Sequence, residues 1–141
     1  MAISQLSLFL MNQPGQLVDA VGAISGTGAN IRAMSIAEAN DFGILRAIVT
    51  NSEAVCNALK NNYLITRTPV VAAKMDDRTG ALFPILNVLN EANINIEYMY
   101  AFTGTGPDEA YVVLRVNDPD TAEAVLHAAG IGTLSDDNLK I

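Results

Sequence analysis

The sequence predicts an α+β protein built from one βαββαβ unit written twice. Three observations predict it: a repeat at a spacing of 65 to 67 residues, apolar patterning that switches between strand and helix periods, and a glycine turn recurring at the same place in each copy. A shift of 65 sets Asn12-Gln13-Pro14-Gly15-Gln16-Leu17 on Asp77-Arg78-Thr79-Gly80-Ala81-Leu82, Val21 on Leu86, Ile24 on Leu89 and Asn30-Ile31 on Asn95-Ile96. Further on the shift becomes 67, pairing Leu45, Ala47 and Val49 with Val112, Leu114 and Val116, and Leu59 with Leu126. The two extra residues fall in the turn Gly104-Thr105-Gly106-Pro107-Asp108, which replaces Asn40-Asp41-Phe42-Gly43.

Each copy reads as strand, helix, strand, strand, helix, short strand. Leu6, Leu8 and Leu10 alternate with Gln5, Ser7 and Phe9, the period-two pattern of a half-buried strand. After Pro14-Gly15 the spacing of Leu17, Val21, Ile24 and Gly28 becomes three and four, which turns one helical face inward. Pro14 stands just before or at the first helical turn, where a missing N–H costs nothing. Ile31–Glu38 and Ile44–Thr50 then form a hairpin, matched by Ile96–Thr103 and Ala110–Asn117. Asn51 before Ser52-Glu53, and Asp118 before Pro119, cap the second helices. This order is the ferredoxin-like split βαβ unit, with an antiparallel sheet carrying both helices on one face. Thr66-Arg67-Thr68-Pro69 reads as the only linker, so the units are residues 1–68 and 69–141. Units this small have marginal cores and are expected to share an interface.

Composition narrows the function. The 141 residues are 50% hydrophobic, with eight Lys and Arg against fifteen Asp and Glu, a net charge of -7. Eight basic residues and a pI near 4.4 argue against nucleic acid, which needs clustered cations. The acidic excess belongs to one copy: residues 1–68 hold four bases and four acids, residues 69–141 four bases and eleven acids. The opening MAISQLSLFLMNQPG has no basic residue before its apolar stretch and breaks at Asn12-Gln13-Pro14, so it reads as neither signal peptide nor membrane span. A lone Cys, with no partner for a disulfide, fits a reducing, cytoplasmic setting.

The catalytic inventory is short. His127 and Cys56 are the only residues of their kinds and fall on second helices of different copies, which disfavours a Cys-His pair. His127, near a helix end, complements the dipole, and Cys56 reads as a small helix-face residue. Asp76-Asp77, Asp108-Glu109 and Asp136-Asp137 read as solvated acids in turns or tail. Gly26-Thr27-Gly28 follows a helix instead of opening one, and is no phosphate loop. No enzyme activity, metal or cofactor is called for. The outward side of the third strands (Ile44, Arg46 and Ile48; Tyr111, Val113 and Arg115), together with Phe9, is apolar enough to predict a homodimer through sheet faces.

What remains is the strand-to-helix turn, repeated in both copies. A glycine there admits a ligand close to the backbone, and a helix starting at once aims unpaired N–H groups outward, a setting for a carboxylate. With its order of elements, the doubled motif resembles a tandem pair of ACT domains, whose recognisable stretch is an Asn or acidic residue, a variable residue, then Pro-Gly-x-Leu. Asn12 to Leu17 match it throughout; Asp77 to Leu82 match except that Thr79 replaces Pro, and the family's later Asn-Ile recurs as Asn30-Ile31 and Asn95-Ile96.

The resemblance implies a regulatory protein binding a free amino acid. Each ligand would lie between the glycine turn of one repeat and the second strand of the other. One site would join Asn12, Gln13, Gly15, Gln16 and Leu17 to the strand around Tyr98, Met99 and Tyr100. The other would join Asp77, Thr79, Gly80, Ala81 and Leu82 to that around Ala33, Met34 and Ser35. The neutral Asn12 turn is the expected better site, because Asp76 and Asp77 repel a carboxylate and Arg78 offsets only part of this. A regulated partner enzyme is implied, since no catalytic domain is attached. The alternative is an ACT-like interaction or oligomerisation module that acts on a partner enzyme without any ligand.

Overall fold

The computed structural model describes residues 2–104 and 108–139. Within them the chain forms β1 (Ile3–Met11), α1 (Gln16–Gly26), β2 (Ile31–Ala39), β3 (Phe42–Val49), α2 (Ser52–Leu59), β4 (Leu64–Asp76), α3 (Leu82–Glu91), β5 (Ile96–Thr103), β6 (Glu109–Val116), α4 (Pro119–Ala128) and a short 3-10 helix at Asp136–Leu139. The βαββαβ order is therefore present twice. Two compact units result, Ser4–Thr68 and Pro69–Asn138, with Ala2 and Ile3 counted with the second. The middle of the longer turn, Thr105 to Pro107, lies outside the described residues.

In the first unit the antiparallel strands run β2-β3-β1, with Leu6 opposite Ala47 and Leu8 opposite Leu45. In the second they run β4-β6-β5, with Val71 opposite Leu114 and Ala73 opposite Val112. The helices cover one sheet face in each unit, and the two cores correspond position by position. Leu6, Leu8, Ala20, Ile24, Leu45, Ala47, Val49, Val55 and Leu59 have as counterparts Val71, Ala73, Ile85, Leu89, Val112, Leu114, Val116, Ala122 and Leu126, all buried. Their volumes trade. The strand pair Leu8–Leu45 shrinks to Ala73–Val112, while helix residue Ala20 grows to Ile85, so each core keeps its filling with different side chains.

Local signals also repeat. Asn30 N–H donates to Thr50 Oγ1 at 2.9 Å, and Asn95 N–H to Asn117 Oδ1 at 3.0 Å. Gly28 and Asn93, equivalent positions just past the first helix of each repeat, have φ of 85° and 57°, a left-handed helix exit that glycine and asparagine tolerate. Asn51 Oδ1 accepts from Ala54 N–H at 3.4 Å, and Asp118 Oδ1 from Thr121 N–H at 3.1 Å, as expected of caps. The Thr121 hydroxyl also donates to Asp118 at 2.6 Å. These bonds, the hydroxyl's first, hold the Asp118 carboxyl below its ordinary 3.8. Because the folded value is depressed, the cap contributes above the ordinary value, and its contribution is lost as pH falls through the depressed one. Asp118→Ala should therefore lower the melting temperature at pH 7, by a difference from wild type that shrinks as the pH is taken below 3.8 in a series of melts.

Three readings of the sequence are corrected. The expected linker Thr66–Pro69 is not a loop but part of the uninterrupted strand β4. Proline removes only an N–H, and it drives the preceding Thr68 toward extended backbone. The Pro69 carbonyl accepts from Arg115 Nη1 at 3.0 Å, and Arg67 donates to Ser52 and Ser4 hydroxyls, both at 3.3 Å. On α1 the buried residues are Ala20 and Ile24; Leu17 is exposed, Val21 only half-buried, and Gly28 lies beyond the helix. Along β1 the polar face is not solvated, for Gln5 and Ser7 are buried and Gln5 Nε2 donates to Ser7 Oγ at 3.2 Å. Of the outward sheet faces, Ile48 and Val113 are buried as well.

His127 does lie in the last turn of α4, but it has a further role. The Thr133 hydroxyl donates to the buried Glu123 at 3.1 Å and accepts from His127 Nε2 at 2.9 Å, holding the segment that bridges Ala73 through Thr133. Cys56 is a half-buried free thiol packed beside the first core.

Candidate ligand-binding site

The two glycine turns are built alike. At the end of β1, Asn12 N–H donates to Asp41 O at 3.0 Å and Gln13 N–H to Met11 O at 2.9 Å; Gln16 N–H then closes on Gln13 O at 3.3 Å. At the corresponding place after β4, Asp77 N–H donates to Asp108 O at 2.8 Å, Arg78 N–H to Asp76 O at 2.9 Å and Ala81 N–H to Arg78 O at 3.3 Å. Gly15 and Gly80 have φ of 89° and 81°, which a residue with a Cβ adopts only under strain. The first helix of each repeat begins at once, and neither start has a side-chain cap. At α1 the Leu17 and Val18 amides therefore find no carbonyl within the helix and face outward, and at α3 the Leu82 and Phe83 amides do the same.

The turns differ in charge. Asn12 and Gln13 are exposed neutral amides. At the second turn the Arg78 guanidinium is engaged by Asp76 at 3.2 Å, so it is not wholly available to a ligand, and exposed Asp77 stays beside the helix start. Two features escaped the sequence reading. Asp19 places a carboxylate in the first turn of α1, and its counterpart Pro84 removes an N–H from the first turn of α3. Both could have been read from the alignment of the copies.

The strand residues do not join their own turns. Met34 and Ser35 lie opposite Ala47 and Arg46 in mid-strand, while the Asn12 turn adjoins the hairpin end near Asp41. Neighbours on a strand face opposite ways: Met34 and Met99 lie opposite the core residues Ala47 and Leu114, whereas Ser35 and Tyr100 lie opposite Arg46 and Val113. Each second strand carries a register irregularity at the same place, between Ile31 and Ala33 and between Ile96 and Tyr98.

What does adjoin each turn is a surface cavity inside its own repeat. The first, about 240 Å³, is lined by Phe9, Leu10, Met11, Gln16, Phe42, Asn62, Tyr63 and Leu64. The second, about 280 Å³, is lined by Lys74, Met75, Asp76, Arg78, Ala81, Pro84, Ile85 and the segment from Gly130 to Gly132. They are one cavity, duplicated: Phe9, Leu10, Met11, Gln16, Tyr63 and Leu64 correspond to Lys74, Met75, Asp76, Ala81, Gly130 and Ile131. The wall formed by the chain after each second helix is remote in sequence from the turn, and no local signal announces it.

A doubled βαββαβ unit with an identically built glycine turn in each copy agrees with the family model for the ACT domain pair, which matches residues 1–141. The chain belongs to that family. The ACT domain pair is also similar to the solved structure of protein BT0572 from Bacteroides thetaiotaomicron, at 35% identity and a TM-score of 0.91, over 99% of this chain and 96% of that one. It shares its fold with the regulatory subunit of aspartate kinase from Thermus thermophilus, solved in a ligand-free form, at 15% identity and a TM-score of 0.65, over 92% and 93% of the two chains. The corresponding subunit from Thermus flavus gives 12% identity and a TM-score of 0.62, over 92% and 94%. No curated protein matches the sequence. Among the described residues, no helix of this ACT domain pair is long and apolar enough to cross a membrane.

Proposed function

We propose that this ACT domain pair is a cytoplasmic regulatory protein, without catalysis of its own, that binds a free amino acid reversibly at its glycine turns, the Gly15 turn being the stronger site. The observation that carries this reading is the duplicated turn: a left-handed glycine, a helix starting at once and outward amides, each beside a cavity. The ligand's carboxylate meets the Leu17 and Val18 amides, and its ammonium is drawn to Asp19 or the Asn12 side-chain oxygen. Asp19 weakens the helix end's pull on a lone anion but suits a zwitterion. A helix terminus contributes at most about 2 kcal/mol, whereas micromolar affinity needs about 8 kcal/mol, so the ligand must also gain from its side chain and from a second wall. That wall is proposed to be the second strand of the other repeat, around Tyr98 to Tyr100 for the first turn and Ala33 to Ser35 for the second. The fold is shared with subunits named as regulatory, one solved as a ligand-free form, which supports a regulatory role acting on a partner enzyme.

A thermal-shift and calorimetry panel of the common amino acids is expected to find at least one stabiliser. Silence across the panel at millimolar concentration would sink the reading. A second reading, a module that assembles a homodimer or holds a partner enzyme without ligand, is favoured by Val18 and Phe83. These equivalent residues beside the two turns are 70% and 71% exposed. Sedimentation that shows a dimer indifferent to every amino acid would favour it.

A further inference from the structure

We infer that the first repeat selects its amino acid by a large apolar side chain, received by the cavity beside the Gly15 turn. This rests on the reading that an amino acid binds at that turn, and it adds the ligand class. Gln16 belongs to both the turn and the cavity, so a ligand whose main-chain groups meet the α1 amides has its side chain at the cavity mouth. The walls are Phe9, Met11, Phe42, Tyr63 and Leu64, and no lining residue is charged. Phe9 and Phe42 are each 39% exposed, and their rings stand 6.1 Å apart, an aromatic pair turned partly to water. A charged or strongly polar side chain entering there would lose water without a charged partner, whereas an apolar one removes aromatic surface from water.

The volume of about 240 Å³ is what about eight waters fill, room for one amino-acid side chain and below the usual range of pockets for larger ligands. The duplicate sharpens the inference. At the same place the second repeat keeps a cavity but lines it with Lys74, Asp76 and Arg78. The buried core positions stayed apolar in both copies while these wall positions diverged in polarity, so the apolar lining of the first cavity is not a demand of the fold.

Calorimetry on the full chain with leucine, phenylalanine, glycine, serine and glutamate tests this. Leucine or phenylalanine should bind at least about tenfold more tightly than serine, glycine or glutamate. Phe42→Ala should weaken the apolar ligand about tenfold or more. Leu64→Asp, at a side chain 67% exposed and outside the core, should have the same effect as Phe42→Ala even if that variant folds poorly. Equal binding of serine or glutamate, or apolar binding untouched by both cavity variants, overturns the inference. If Gly15→Val still abolishes that binding, the site itself stands and only the selectivity is wrong. Silence of all five ligands overturns the inference, while a response elsewhere in the full panel would leave the amino-acid reading in place.

Discussion

Replacing Gly15 by valine is expected to abolish the stabilisation of the protein by the amino-acid ligand proposed for it, while leaving it folded. Gly15 sits at φ 89°, and a Cβ built there meets nothing within 4 Å, so the penalty is one of backbone conformation and not of collision. A β-branched residue in the left-handed region costs of the order of 1–3 kcal/mol, enough to shift the melting temperature by a few degrees without unfolding a chain of this size. The turn relieves that strain by rotating out of the left-handed region. The Leu17 and Val18 amides are then re-aimed, and the close approach that a bare Cα permits is closed. Gly80→Val imposes the same strain at φ 81° with the same open space around it, and so serves as the matched control. Melting curves with and without the stabilising amino acid should show its shift lost in Gly15→Val and kept in Gly80→Val. The reverse pattern would transfer the principal site to the acidic repeat.

The largest effect on stability is expected from Leu8→Ala. Leu8 is fully buried on β1, opposite Leu45, in the cluster to which α1 contributes Ala20 and Ile24. Truncation therefore leaves a cavity that cannot collapse easily, and the cost is about 2–5 kcal/mol. The second repeat shows what would compensate. There the Leu8 position is Ala73, and the Ala20 position is Ile85. Leu8→Ala combined with Ala20→Ile should recover part of the loss, so that the double variant is more stable in urea titrations than the sum of the two single changes. Strict additivity would show that the volume trade between the cores is not a packing compensation.

The elements were legible because their signals are local. Gly15 and Gly80 mark positive-φ turns, Asn51 and Asp118 cap helices with their own oxygens, and the β2–β3 and β5–β6 hairpins follow from period-two alternation. Each is a matter of a few consecutive residues and their backbone preferences. The repeat did the rest, since a motif too weak alone becomes decisive when it recurs in register. Thr66–Pro69 was misread for the same reason: proline is a local sign of a break, but extended backbone accommodates it, and strand β4 runs through.

The site was legible only in its turns. That Arg78 is engaged by Asp76, that Met34 and Ser35 face opposite ways, and that Tyr63 closes a cavity with Phe9 and Gln16 are consequences of pairing register and of contacts between segments far apart in the chain. Periodicity named Leu17, Val21, Ile24 and Gly28 for the buried face of α1; Ile24 is buried, but its companion is Ala20, because the rotation of a helix is decided by what it packs on. The sequence therefore determined the duplicated unit, its turns and its caps, where a residue answers to its own backbone. Tertiary structure decided which faces are dry and what lines the two cavities, because burial depends on residues that the chain brings together only when folded.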